Sequence, residues 1–110
     1  MIDVVTVPQR KAREASRRRA AADHVMTELK AFGAAHGGRF LVFGSVAEGR
    51  MRFDSDFDVV VDFPADREAA AADFVEETCR RERLPVDVHL KSASSDRLLD
   101  RISGHMTTLP

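Results

Sequence analysis

One cysteine in 110 residues, Cys79, excludes an intrachain disulfide, and a reducing cytoplasm is the expected setting. No run is long and apolar enough to span a bilayer, and no signal-peptide core is present. The Arg- and Ser-containing start resembles a transit peptide in composition, but Asp3 and Glu14 interrupt it. The net charge is -1, so no overall field draws the chain to nucleic acid or to a membrane. His24, His36 and His105 lack the partner spacing of a zinc site. There is no repeat, low-complexity tract or linker, and the length suits a single domain over residues 1–110.

What is present is ordinary in bulk and uneven in detail. Apolar residues make up 44% and charged residues 32%, as in a soluble globular protein. Residues 1–50 carry nine Lys/Arg against five Asp/Glu, and residues 51–110 carry eight against thirteen. The basic excess lies in Arg10, Lys11, Arg13, Arg17, Arg18 and Arg19. It reads either as a solvated helix face or as a docking surface for an acidic or phosphate-bearing partner.

Hydrophobic period divides the chain into elements. Residues 2–7 are apolar and β-branched, fitting an edge strand or an ordered arm. From Pro8 to about Ala35 apolar positions recur at helical spacing, and His36-Gly37-Gly38 ends the helix. Residues 39–43 form an apolar strand. Ser45-Val46-Ala47-Glu48 matches a capping box, which predicts a short helix from Ser45 closed by Gly49. A loop over 50–54 leads to a strand over 57–63. A helix opens near Asp66 and Pro85 prevents its continuation; a strand over 86–90 and a short helix over 96–103 follow. Residues 104–110 read as loosely held. This order predicts an α/β (α+β) fold, with a small mixed sheet and helices packed on one face.

Strand alternation then sorts the side chains. Phe57, Val59, Val61 and Phe63 share one side of their strand; Asp56, Asp58, Val60 and Asp62 share the other. Val86, Val88 and Leu90 oppose Asp87 and His89 in the same way. With the apolar faces aligned, Asp56, Asp58 and Asp87 converge on the open side of the sheet. Three like charges in a partly desolvated place are costly unless a cation binds. Hard oxygen ligands suit Mg²⁺, and two such ions can clamp an in-line displacement at phosphorus. Gly44 allows close backbone approach, while Ser45 offers a hydroxyl and the N–H groups that follow it.

Each feature also has an ordinary reading. Ser45 can simply cap a helix, and Asp54, Ser55 and Asp56 can simply form a turn. His89 alone is weak evidence for catalysis. Cys79 on an apolar helix face is a core residue. Their order and spacing together favour one phosphoryl-transfer site.

At these residues the chain resembles the minimal nucleotidyltransferase (MNT) proteins of the DNA polymerase β-like superfamily. The resemblance rests on Gly44-Ser45, Gly49, Ser55-Asp56-Phe57-Asp58 with Val59-Val60-Val61 after it, and Asp87 in Val86-Asp87-Val88. It implies the polymerase β-like nucleotidyltransferase fold and transfer of a nucleoside monophosphate, usually AMP from ATP, with Mg²⁺, two ions being expected. Asp56, Asp58 and Asp87 would be the metal ligands, with Asp87 also helping to activate the acceptor hydroxyl. Gly44, Ser45, Gly49 and Ser55 would bind the nucleotide. Glu48 departs from the basic residue that many relatives carry there, although Arg50 and Arg52 are close by. Such proteins are often paired with a HEPN-family toxin, so an antitoxin that adenylylates a tyrosine of such a partner is the expected role. Two alternatives are a module that neutralises its partner by contact through Arg17 to Arg19, and a transferase acting on a small molecule such as an antibiotic. Direct nucleic-acid binding and membrane association are not expected. Exposed apolar residues near 2–7 and at Leu109 are candidates for self-association.

Overall fold

The structure is a computed structural model that describes residues 6–109. Helix α1, Val7–His36, opens on a full capping box: the Thr6 hydroxyl accepts from Gln9 N–H, and the Gln9 side chain accepts from Thr6 N–H. It closes on Gly37, which at φ 71° occupies the left-handed region. Gly38 must also lack a side chain, because a Cβ there would overlap the Phe63 ring. The expected strand or arm over 2–7 falls largely outside the described residues; Val7 itself begins α1.

Strands β1 (Arg39–Phe43), β2 (Phe57–Asp62), β3 (Val86–Leu90) and β4 (Thr107–Leu109) form one sheet in the order β3-β2-β1-β4. β1 runs antiparallel to β2 and β4, while β2 and β3 are parallel. Helix α2, Ala65–Arg81, supplies the crossover between the parallel strands. This is the mixed sheet expected from the element order.

Register explains the two faces. Phe40 lies opposite Val61, and Val42 opposite Val59. These four side chains are fully buried with Val25 and Leu29 of α1 and Val75 and Cys79 of α2. The opposite face pairs Leu41 with Val60, both buried under Ile102 of helix α3, Asp96–Ile102. Thus α1 and α2 cover one face as anticipated, and α3 covers the middle of the other. The face carrying the aspartates is therefore open only at its margin.

Two expectations are corrected. No helix starts at Ser45; residues 44–49 form successive turns. The C-terminal segment is not loose, because β4 pairs with β1 and places Leu109 opposite Phe40 in the core. Backbone pairing with β1 and burial of the Leu109 side chain hold it in place. Leu109 is only 8% exposed and so is no surface for self-association. A smaller difference is a 3-10 turn at Lys91–Ala93, while the Ser95 side chain caps α3 through Leu98 N–H. Leu109→Ala should cost about 2–5 kcal/mol, the usual range for removing a buried Leu side chain. Urea denaturation measures this, and a loss below about 0.5 kcal/mol, the surface-site range, would contradict the packing.

Candidate functional site

β1 delivers the chain to Gly44, whose φ of 75° is in the left-handed region. A Cβ at this position would overlap Oδ2 of Asp58. The small-residue turn and the Asp-x-Asp strand are therefore in direct contact. Glu48 N–H donates to Gly44 O at 3.1 Å, Gly49 N–H to Val46 O at 3.2 Å, and Arg50 N–H to Ser45 O at 2.8 Å. Gly49, at φ 69°, lets the chain reverse after these bonds. Val46 packs against the core and fixes the turn from below. Among the described residues, none of the turn bonds uses the N–H of Val46 or Ala47, which leaves two donors for an anion.

Glu48 does not complete a capping box with Ser45. Its carboxylate pairs with Arg50, which holds it below the usual carboxylate range. The departure at Glu48 is thus met by a neighbouring guanidinium, as the nearness of Arg50 suggested.

The next loop is held from two sides. Ser55 Oγ accepts from Arg52 N–H at 2.7 Å, while Ser55 N–H donates to Arg52 O at 3.2 Å. Arg18 Nη1 reaches across from α1 and donates to Ser55 O at 2.8 Å. The ammonium of Lys11 lies 4.7 Å from the centre of the Phe53 ring. Met51 is buried, and Phe57 N–H donates to Pro85 O at 2.8 Å. In this arrangement Ser55 shapes the backbone just before Asp56.

Arg18 is fixed in turn by Glu14, which also accepts from Arg17. These two guanidiniums hold the Glu14 carboxyl down to about 2. Arg17 continues to the carbonyls of Glu82 and Arg83 at the end of α2. The basic cluster therefore divides: Arg17 and Arg18 are internal ties rather than a solvated face. Sequence reasoning missed this role, although the spacing of Glu14, Arg17 and Arg18 on one helix already allowed the pairs.

The carboxylates are brought together by register. Asp58 lies opposite Asp87 across the parallel β2–β3 pair and opposite Phe43 across β1–β2. Burial pushes the Asp58 carboxyl up; the charges of Asp87 and Asp56 push it further, and His89 opposes them. Asp87 also lies 3.3 Å from Nε2 of His89, whose ring packs 5.7 Å from that of Phe43. Asp56 and Asp87 are exposed and Asp58 is half-buried. Among the described residues no three His, Cys, Asp or Glu side chains close around a single point as a preformed metal cage. The fold thus aligns Asp58 with Asp87 and brings Asp56 within electrostatic reach.

Residues 22–106 match the nucleotidyltransferase domain family, and the chain belongs to that family within the DNA polymerase β-like superfamily. The matched span contains the Gly44-Ser45 turn, Asp56, Asp58 and Asp87. It establishes a nucleotidyltransferase domain, a class that transfers a nucleoside monophosphate and typically uses a nucleoside triphosphate with a divalent metal. No curated protein matches the chain.

Two consequences can be measured. Because the folded Asp58 carboxyl is raised above its unfolded value, the native state binds more protons between the two values. Its destabilisation is full above the folded value and vanishes below the unfolded one. In a chelator-containing buffer Asp58→Asn should therefore be more stable than the parent at pH 7, with the difference shrinking as pH falls toward about 4. A less stable variant across that range would refute the repulsion. Arg18→Ala should lose about 1.5–3 kcal/mol, as for other hydrogen bonds to charged groups. Hydrogen exchange of residues 50–56 should quicken in that variant, and unchanged exchange there would exclude the tie.

Proposed function

We propose that this protein transfers AMP from ATP to a hydroxyl of a partner protein, a tyrosine of a HEPN-family toxin, and acts as its antitoxin. The observation that carries the transfer chemistry is the contact of Gly44 with Asp58, which sets a phosphate-sized turn against the acidic strand. The acceptor and the antitoxin role rest on the resemblance to minimal nucleotidyltransferases.

The donor set suits a hard divalent cation. Asp58 is held in a place that disfavours its own charge, beside Asp56 and Asp87, and a bound cation offsets that cost. Asp56, Asp58 and Asp87 would hold two Mg²⁺ ions. When bound, Mg²⁺ supplies charge neutralisation at the phosphates of the attacked nucleotide.

The protein groups have separate tasks. The N–H groups of Val46 and Ala47, which no turn bond among the described residues uses, and the Ser45 hydroxyl would bind the triphosphate. Gly49 permits the reversal that presents them, and Ser55 holds the backbone before Asp56. The acceptor oxygen attacks the α-phosphorus, its proton passing to the Asp87 carboxylate. A new P–O bond forms, the α–β bridging P–O bond breaks, and pyrophosphate leaves with the electron pair. His89, 3.3 Å from Asp87, orients that carboxylate.

Neutralisation by contact alone draws little support from Arg17 and Arg18, since both are spent on internal bonds. The deciding experiment incubates the protein and its partner with ATP labelled at the α-phosphate and Mg²⁺. Label should appear on the partner, and Asp56→Ala or Asp58→Ala should lower it on the order of a thousandfold, as expected for losing several kcal/mol of transition-state stabilisation. Undiminished labelling in both variants would sink the mechanism.

A further inference from the structure

The first two turns of α1 are solvent-exposed along their length, with Lys11 reaching over to the Phe53 ring. Residues 6–13 are all exposed, and the first partly buried side chain is that of Glu14. The overhang is about 10 Å long at the usual helical rise. Its charge is of one sign: Arg10, Lys11 and Arg13, with no acid in the first turn. None of these three makes an ion pair among the described residues, in contrast to Arg17 and Arg18. Positive charge near a helix start opposes the helix dipole. A helix segment with no buried side chain also lacks the burial that usually stabilises it. Yet the overhang ends in a complete capping box. Its placement is equally particular. Through Lys11 over Phe53, it flanks the loop that leads into Asp56. Val7, 56% exposed, leaves an apolar side chain in solvent at its tip.

We propose that this overhang is a docking arm for an acidic segment of the acceptor protein, which it holds beside the Asp56–Asp58 strand. The proposal rests on the transfer reading for the identity of the acceptor. Charge complementarity selects an anionic partner. A protein segment fits better than nucleic acid, because the basic surface is two helical turns long and the chain as a whole carries a net charge of -1. The arm contributes affinity and orientation. It is not part of the chemistry, since Arg10 and Arg13 touch neither the turn nor the aspartates.

The test uses the full chain with Arg10, Lys11 and Arg13 all changed to Glu. Acidic residues suit a helix start, so this variant should fold at least as stably as the parent. The first measurement is binding of a fluorescent Glu-rich peptide and of a single-stranded RNA of equal charge, at about 0.1 M salt, where the screening length is about 10 Å. The parent should bind the peptide in preference to the RNA, and the variant should lose on the order of tenfold in peptide affinity, as rim charges steer association. The second measurement is nucleotidyl transfer to the partner protein. KM for the partner should rise while kcat and the KM for ATP stay unchanged. Equal peptide binding by parent and variant, preference for RNA, or an unchanged partner KM would each overturn the docking arm. Peptide binding lost in the variant, with no transfer by the parent to any protein, would uphold the arm and overturn the transfer reading instead.

Discussion

Everything at the acidic margin depends on the space left by the missing side chain of Gly44. The Asp58 carboxylate occupies that space, so the end of β1, the turn after it and the start of β2 form one unit. Close packing makes this intolerant: an added methyl group has no void to enter, and the turn also needs a positive φ. One residue thus meets a steric and a conformational demand together. The result sets beside Asp58 a turn with two backbone N–H groups that no turn bond among the described residues uses.

That unit is electrostatically unfavourable by itself. Asp58 loses hydration and faces Asp87 in register, with Asp56 adding to the repulsion and His89 relieving part of it. The hydrophobic sandwich supplies the opposing stability. Phe57, Val59 and Val61 are buried against α1 and α2, while Val60 is buried under α3. Each such side chain contributes roughly 1.5–3 kcal/mol, enough to hold the aspartates where their own charges would not. Stability is invested on one set of strand positions and strain is carried on the alternate set.

α1 joins the two regions. Its second half is core: Val25 and Leu29 are fully buried. In its middle, Glu14 gathers Arg17 and Arg18, and those guanidiniums tie the end of α2 and the loop before Asp56 to the helix. Arg18 is only 17% exposed, which makes its bonds less screened than those of a surface pair. The first two turns are solvent-exposed, with Lys11 over the Phe53 ring. A single helix therefore changes from core, to scaffold of the site, to surface along its length.

Much of the fold was legible because period and punctuation are local. The 3.6-residue spacing of α1, the alternation in β2 and β3, and the breaks at Gly37 and Pro85 located most elements. The motif Gly-Ser…Ser-Asp-x-Asp, with the later Asp87, pointed to the family to which the chain belongs. Alternation also separated the acidic from the apolar face, since it needs only the pleat. The misjudged places were those where local signals compete with distant partners. Ser45 and Glu48 have the spacing of a capping box, yet Glu48 bonds Arg50 and the chain turns instead. Residues 107–109 look unremarkable until β1 offers an open edge and a pocket for Leu109.

The sequence by itself determined the residue types of the site, their order and the faces on which they lie, because these follow from covalent spacing and strand geometry. Only the tertiary structure decided that Asp58 stands beside Asp87, that Gly44 makes room for its carboxylate, and that Arg18 secures the neighbouring loop. Those are relations between segments far apart in the chain. They depend on β-register, on the packing of α3 over Leu41 and Val60 and on the reach of Arg18 from α1 to Ser55, and none of these is encoded in any one stretch.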